Sequence, residues 1–236
     1  MTSSLNNIKV FTTHPHECSY LDNEDATTLF IDPATKIDRK LYSHLSQIGF
    51  RRSGSFLYRP HCQDCNACIP CRIPINSFNR TRSHKRTWEN NQDISVVEVN
   101  SINTEHHYAL YERYINERHK DGDMFPPDTE QYASFLGSEW NVTRFIEFSV
   151  AEKLIGVAVI DELDDGLSAI YTFFDPDEDK RSLGTYAVLW QIEMCRAMKL
   201  PYVYLGYWIK DCRKMSYKTR YRPLELLINN RWVNLI

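Results

Sequence analysis

Residues 179–223 read DKRSLGTYAVLWQIEMCRAMKLPYVYLGYWIKDCRKMSYKTRYRP: a glycine turn, a helix, a short strand and a basic loop in succession. After Arg181, Ser182, Leu183 and Gly184, the residues Val188, Ile192 and Cys195 recur at i, i+4 and i+7. The spacing predicts a helix whose free backbone N–H groups lie just past Gly184. Such a helix end attracts anionic oxygens. Pro201 stops the helix beyond Lys199, and residues 202–207, aromatic and branched, predict a buried strand. Working outward, residues 143–150, 154–162 and 167–174 read as strands, the first two joined by a tight turn at Glu152-Lys153. Helices are predicted after Thr104 and around Tyr132, Phe135 and Leu136. The order helix, helix, three strands, helix, strand makes residues 101–236 one α/β (α+β) unit.

Residues 1–100 form a smaller cysteine-containing α+β module in this reading, since 236 residues can hold two cores. Ile37, Leu41, Leu45 and Ile48 predict a helix closed by Gly49, and residues 50–58 predict a hairpin with a wet, cationic face. Four of the seven cysteines fall at 62, 65, 68 and 71, a C-x2-C-x2-C-x2-C series. Cys62, Cys65 and Cys68 with a remote ligand such as Cys18 suit an iron–sulfur cluster or zinc, although the same thiols also pack as small apolar side chains. The net charge of −3 is unevenly spread. Residues 51–86 hold eight Lys or Arg against Asp64 alone, and residues 210–232 hold seven against Asp211 and Glu225. Two basic stretches in an acidic chain are the footprint of a polyanion partner, or else two solvated faces. No apolar run approaches a bilayer span, so a cytoplasmic protein with no membrane partner is expected.

Two resemblances follow from these residues. The strand-turn-helix-strand unit resembles the acyl-CoA core of the GCN5-related N-acetyltransferase superfamily (GNAT), whose signature ends in Gly or Ala where this chain has Tyr186. Leu205-Gly206-Tyr207-Trp208-Ile209, Cys212, Lys214-Met215, Tyr217-Lys218 and Tyr221-Arg222-Pro223 resemble the C-terminal signature of the aminoacyl-tRNA:protein transferases of the N-end rule. Cys71-Arg72-Ile73-Pro74-Ile75, Phe78, Arg80-Thr81-Arg82-Ser83 and Lys85-Arg86 resemble their N-terminal segment. Cys18-Ser-Tyr-Leu21 matches another family stretch except that leucine replaces its second cysteine. The cysteine spacing and compact length are most similar to the bacterial branch. That branch implies leucine transfer from leucyl-tRNA to proteins with N-terminal Asp or Glu, marking them for degradation, with no cofactor required for transfer and no DNA partner. Arginine as donor, a small-molecule acetyltransferase and a noncatalytic RNA binder remain the alternatives.

Peptide-bond formation from an activated ester requires chiefly positioning and oxyanion stabilisation, because an α-amine of pKa about 7.7–8.0 is partly neutral at physiological pH. Asp175 and Tyr171, around the strand before the Gly184 turn, are the catalytic candidates, with Asp175 alternatively a turn-former before Pro176. Gly184, Lys214, Lys218 and Arg222 are candidates for the tRNA 3′ end, with Tyr207, Trp208 and Tyr217 as stacking faces or core. Arg82 and Arg86 are candidates for other phosphates. The acidic acceptor residue needs a cation, for which Arg72, Lys218 and Arg222 are candidates. Phe173, Leu183 and Trp208 are the expected walls for a leucyl side chain.

Overall fold

The computed structural model describes residues 8–137 and 140–235. Turn residues and alternation divide the first hundred residues into strands β1 (Val10–Thr12), β2 (His16–Glu17), β3 (Asp25–Ala26) and β4 (Thr28–Ile31), then helix α1 (Arg39–Gln47). The hairpin β5 (Arg51–Ser53) and β6 (Phe56–Pro60) follows, then β7 (Ile69–Pro74), α2 (Arg82–Glu89) and β8 (Ser95–Val99). Asp38 starts α1 by accepting the Leu41 N–H at 2.7 Å. Gly49 at φ +94° turns the chain out of α1, in a backbone region that favours glycine. Thr81 and His84 form a reciprocal capping box on α2.

The remainder runs α3 (Glu105–Arg118), α4 (Thr129–Leu136), β9 (Thr143–Val150), β10 (Lys153–Glu162), β11 (Gly166–Phe174), α5 (Leu183–Met198), β12 (Tyr202–Trp208), β13 (Leu224–Ile228) and β14 (Arg231–Leu235). Three-ten segments precede α5 (Pro176–Arg181) and β13 (Arg213–Arg220). The helix and strand order expected for the acyltransferase-like part is the one observed.

The boundary drawn at residue 100 needs correction. An eight-stranded sheet runs β14-β13-β7-β12-β11-β10-β9-β8, so β7 and β8 from the first hundred residues are strands of the same sheet as β9 to β14. The reason is hydrogen bonding: β7 is antiparallel to both β12 and β13, and its ladder hydrogen bonds are made inside that sheet. What remains apart is the four-stranded sheet β1-β4-β6-β5 with α1, and the two-stranded β2-β3.

The central strand β10 is buried from Ile155 to Asp161 because both of its faces are covered. Ala158 and Ile160 pack with Leu183, Leu189 and Ile192 of α5, while Val157 and Val159 pack with Tyr111 and Ile115 of α3 and Leu136 of α4. Each such aliphatic side chain contributes roughly 1.5–3 kcal/mol on burial. The N-terminal sheet is fastened to this sandwich by a buried pair. Arg52 Nε meets Asp161 Oδ2 at 2.6 Å with both side chains 0 % exposed, and Tyr42 donates to the same carboxylate at 2.9 Å.

Candidate functional site

The feature that creates a site is the parting of two parallel strands. β11 and β12, joined through α5, share a ladder only at Gly166, Leu167 and Ser168. Beyond Ser168 the two strands separate, and residues 169–172 and Phe174 of β11 stay partly exposed within an otherwise buried layer. The opening is flanked by the N-terminus of α5, the segment after β12 and the loop after α3. The two loops are tied together where Lys214 Nζ meets Asp121 Oδ2 at 2.8 Å.

Lys218 is buried at 6 % exposure and donates to the Tyr207 carbonyl, with the Met215 sulfur at 3.4 Å. Burial brings its pKa down to about 8, nearby Arg51 pushes the same way, and the Cys71 thiol opposes. Arg51, 5 % exposed, donates to Ser168 Oγ at 3.1 Å and lies 3.4 Å from the Cys71 carbonyl and 3.5 Å from that of Gly206. Gly206 has φ +83°, and a Cβ there would stand 3.6 Å from Lys218 Nζ. At the other end of β11, His119 packs on Tyr114 at 4.7 Å, and its pKa is lowered by burial and then by Lys214.

Several residues expected at the site have other employment. Asp175 is 1 % exposed at its side chain and is held by Lys153 at 2.7 Å and Arg113 at 3.2 Å, while accepting the Asp177 N–H at 3.1 Å. Burial opposes its ionisation, but the Lys153, Asp177 and Arg113 contacts together hold the carboxyl below its usual range, which makes a poor general base. It caps the three-ten segment instead. Tyr171 packs among Tyr111, Tyr114 and Phe135, and burial raises its pKa, so its phenol stays protonated. Tyr207 is no stacking platform, because it is 6 % exposed and donates to the Gly49 carbonyl at 2.7 Å. Arg72 is no anion site, because Glu225 meets it at 2.6 Å and its guanidinium lies 3.5 Å over the Tyr202 ring. Phe173 lies in the cluster under α3 and Leu183 in the cluster under α5, so the two cannot wall one pocket.

Others keep a place at the surface of the opening. Gly184 sits in the first turn of α5, where a Cβ would come within 3.3 Å of Phe174. Tyr217 is 42 % exposed, and Lys214 is half-exposed. Arg222 lies away from the opening, donating to the carbonyls of Thr219, at 3.1 Å, and of Leu235 in the edge strand β14. Tyr186 is buried against Phe148 and Trp88, both at 5.5 Å, so it fills core rather than the mouth. Arg82 and Arg86 are exposed on one face of α2 together with Lys85, since side chains three and four apart share a face.

A family model described as "Arginine-tRNA-protein transferase, C terminus" matches residues 106–228, and its N-terminal counterpart matches residues 16–86. The aspartate/glutamate leucyltransferase of Saccharophagus degradans is 55 % identical over 235 residues, covering 99 % of this chain and 100 % of that one. This chain belongs to the arginine-tRNA-protein transferase family. Other relatives with the same printed name are those of Teredinibacter turnerae, at 56 % identity over 99 % of this chain and 96 % of the relative, and of Pseudomonas syringae pv. tomato, at 54 % over 99 % of both. A solved C-terminal domain of a putative lysylphosphatidylglycerol synthetase from Agrobacterium fabrum aligns at TM-score 0.43 and 10 % identity, over 72 % of this chain and 52 % of that one.

In this family member the N-terminal match spans the cysteines at 18, 62, 65 and 68. The Cys68 thiol is pushed up to about 12, first by burial and then by the neighbouring thiols of Cys18, Cys62, Cys65 and Cys212. The chain therefore gathers thiols from three separate stretches. Among the described residues no three such side chains already converge as a metal-ligand set. Cys71 stands apart, 0 % exposed in the sheet core. Two residues at the opening escaped the sequence reading. His119 carried no signal in a polar loop, whereas Arg51 carried one. In a strand, Arg51 and Arg52 must face opposite ways, so the hairpin's expected wet, cationic face is in fact two buried arginines directed to different partners.

Proposed function

We infer that this protein transfers leucine from leucyl-tRNA to the α-amine of proteins that begin with Asp or Glu. The observation that carries the reading is 55 % identity, end to end, with a relative named aspartate/glutamate leucyltransferase. The site's chemistry supports the choice of donor. Partly exposed Phe174 and Trp208, both packed against the α5 cluster, offer the apolar wall that leucine needs, and Asp121 and Asp175 are already in ion pairs with Lys214 and with Lys153 and Arg113.

The acceptor's neutral amine attacks the ester carbonyl, the carbonyl oxygen becomes an oxyanion, and the terminal ribose hydroxyl leaves with a proton as the amine loses one. Asp175 sets the turn before α5, and the protein's role is to hold ester and amine in line. Exposed Arg82, Lys85 and Arg86 on α2, with Lys214 near the opening and Arg222 beside the end of β14, serve as contacts to tRNA phosphates, and Tyr217 as a face for a terminal base.

Cys18, Cys62, Cys65 and Cys68 are proposed ligands of zinc or an iron–sulfur cluster. The Cys-x2-Cys-x2-Cys spacing supports this, because a soft thiolate set suits either metal. Bound there, the metal would cross-link two chain segments. The working compartment in this reading is the cytoplasm, where charged tRNA is made; no helix among the described residues is long and apolar enough to cross a membrane.

The test supplies separately charged leucyl-tRNA and arginyl-tRNA together with peptides beginning Asp, Glu, Lys or Arg. Leucylation of the acidic peptides alone is expected. Arginylation, or leucylation of the basic peptides, overturns the specificity.

A further inference from the structure

The buried cations of this fold are treated unequally. Arg52 faces Asp161 and Arg72 faces Glu225, both at 2.6 Å. Arg51 and Lys218 are comparably deep, at 5 % and 6 % exposure, but among the described residues their hydrogen-bond partners are all neutral. Among the described residues Arg51 Nε has no hydrogen-bond partner, and the Nη2 contacts of 3.4 and 3.5 Å to carbonyls are long for hydrogen bonds. Lys218 has three N–H donors, of which one goes to the Tyr207 carbonyl and one to the weakly accepting Met215 sulfur. A charge withdrawn from water is costly enough that buried cations are as a rule paired. Here the two unpaired cations lie together. Both reach the Gly206–Tyr207 backbone, and Arg51 also holds Ser168, the last β11 residue of the ladder with β12.

We propose that Arg51 and Lys218, at the point where β11 and β12 part, form the pocket that takes the side-chain carboxylate of the acceptor's first residue. This rests on the leucyl-transfer reading above. Depth favours a carboxylate over tRNA phosphate: a phosphodiester carries nucleosides on both sides and needs an open face, such as that of Arg82 and Arg86. A carboxylate on a short side chain reaches inward alone and accepts several N–H bonds at once. The leucyl group is excluded by sign, since its α-ammonium would be repelled. With the carboxylate seated at the vertex, the acceptor's α-amine lies a few bonds away, toward the open edge of β11, along which an extended chain can add as a strand. The flexible stem of Lys218 lets one pocket serve both Asp and Glu, which differ by one methylene.

The experiment compares kcat/KM for peptides beginning Asp and Asn, with saturating leucyl-tRNA, in the wild type, Arg51→Met, Lys218→Met and Lys218→Arg. Leucyl-tRNA affinity is measured separately by filter binding. Each Met variant should lose on the order of 100-fold in kcat/KM for the Asp peptide, mainly through KM, and bring the Asp/Asn ratio toward one. Its tRNA affinity should be unchanged, and Lys218→Arg should keep most of the ratio. A retained ratio overturns the pocket, and so does weakened tRNA binding with the ratio intact, which would make it a phosphate site. Should a variant not fold, the wild type alone decides: millimolar Asp-Ala should raise Tm without tRNA present, and Asn-Ala should not. Equal shifts overturn the pocket. An Asp-Ala shift without any transfer to Asp peptides would sink the leucyl-transfer reading and leave the pocket standing.

Discussion

Replacing Arg52 by Met tests whether the buried pair at Asp161 fastens the N-terminal sheet to the catalytic sandwich. The guanidinium gives Nε to Oδ2 at 2.6 Å and Nη2 to Oδ1 at 3.0 Å, and another of its N–H groups reaches the Gly137 carbonyl at 2.8 Å. Both side chains are 0 % exposed, so water cannot replace the lost partner. Without Arg52, the partners Asp161 keeps among the described residues are the hydroxyls of Tyr42 at 2.9 Å and Thr143 at 2.7 Å, which solvate the charge without cancelling it. An uncompensated buried charge destabilises by about 3–5 kcal/mol. At about 2–4 °C per kcal/mol for a chain of this size, Tm should fall by roughly 6–20 °C. Asp161→Asn should fall in the same range, whereas the double variant Arg52→Met/Asp161→Leu, with no charge left, should lose far less than the two singles added together. Scanning calorimetry and urea unfolding followed by two optical probes measure this. Because β5 also carries Arg51, transfer to Asp peptides should weaken well below the new Tm. A single-variant loss under about 1 kcal/mol, or strict additivity in the double, would show that the pair is not the fastening.

Burial holds Lys218 near 8 against an ordinary 10.5, so the unfolded chain binds more protons between those values and stability from this group rises as pH climbs from 8 to 10.5. Lys218→Met should flatten that rise. In transfer assays the wild-type Asp/Asn ratio of kcat/KM should decline above about pH 8 as the ammonium discharges, and a flat ratio to pH 10 would contradict the assignment. Arg82→Glu/Arg86→Glu should weaken tRNA binding and lower the log–log salt slope by about 0.9 per lost contact, on the B-form DNA figure; unchanged slopes would mean these charges only face solvent. Asp175→Asn should lower stability by about 1–3 kcal/mol while kcat at low temperature stays within about threefold, and a kcat loss of roughly 10²–10⁴ would restore it as the base. Protein purified without oxygen should carry zinc or iron, and Cys68→Ser should reduce the metal content. Metal-free protein with full activity would remove the metal from the account.

The secondary structure was legible in the sequence because its causes are local. Gly49 closes α1, Thr104 precedes α3, and the periodicity after Gly184 predicts α5, each depending on residues a few positions apart. The dense signatures at 71–86 and 205–223 likewise carried the family, since a signature needs no coordinates. The partners of the charged side chains were decided only in three dimensions. Arg72 and Asp175 have the right chemistry and the right neighbourhood, but Glu225 and Lys153, which neutralise them, lie far away in the chain and arrive only through sheet pairing and packing. The boundary at residue 100 failed for the same reason, because β7 finds its hydrogen bonds between β12 and β13, more than a hundred residues downstream. Whether a buried charge is structural or functional depends on what stands opposite it. Arg51 and Arg52 are neighbours of one type in one strand; the carboxylate opposite Arg52 makes it a fastening, and only the fold shows that the described residues place none opposite Arg51.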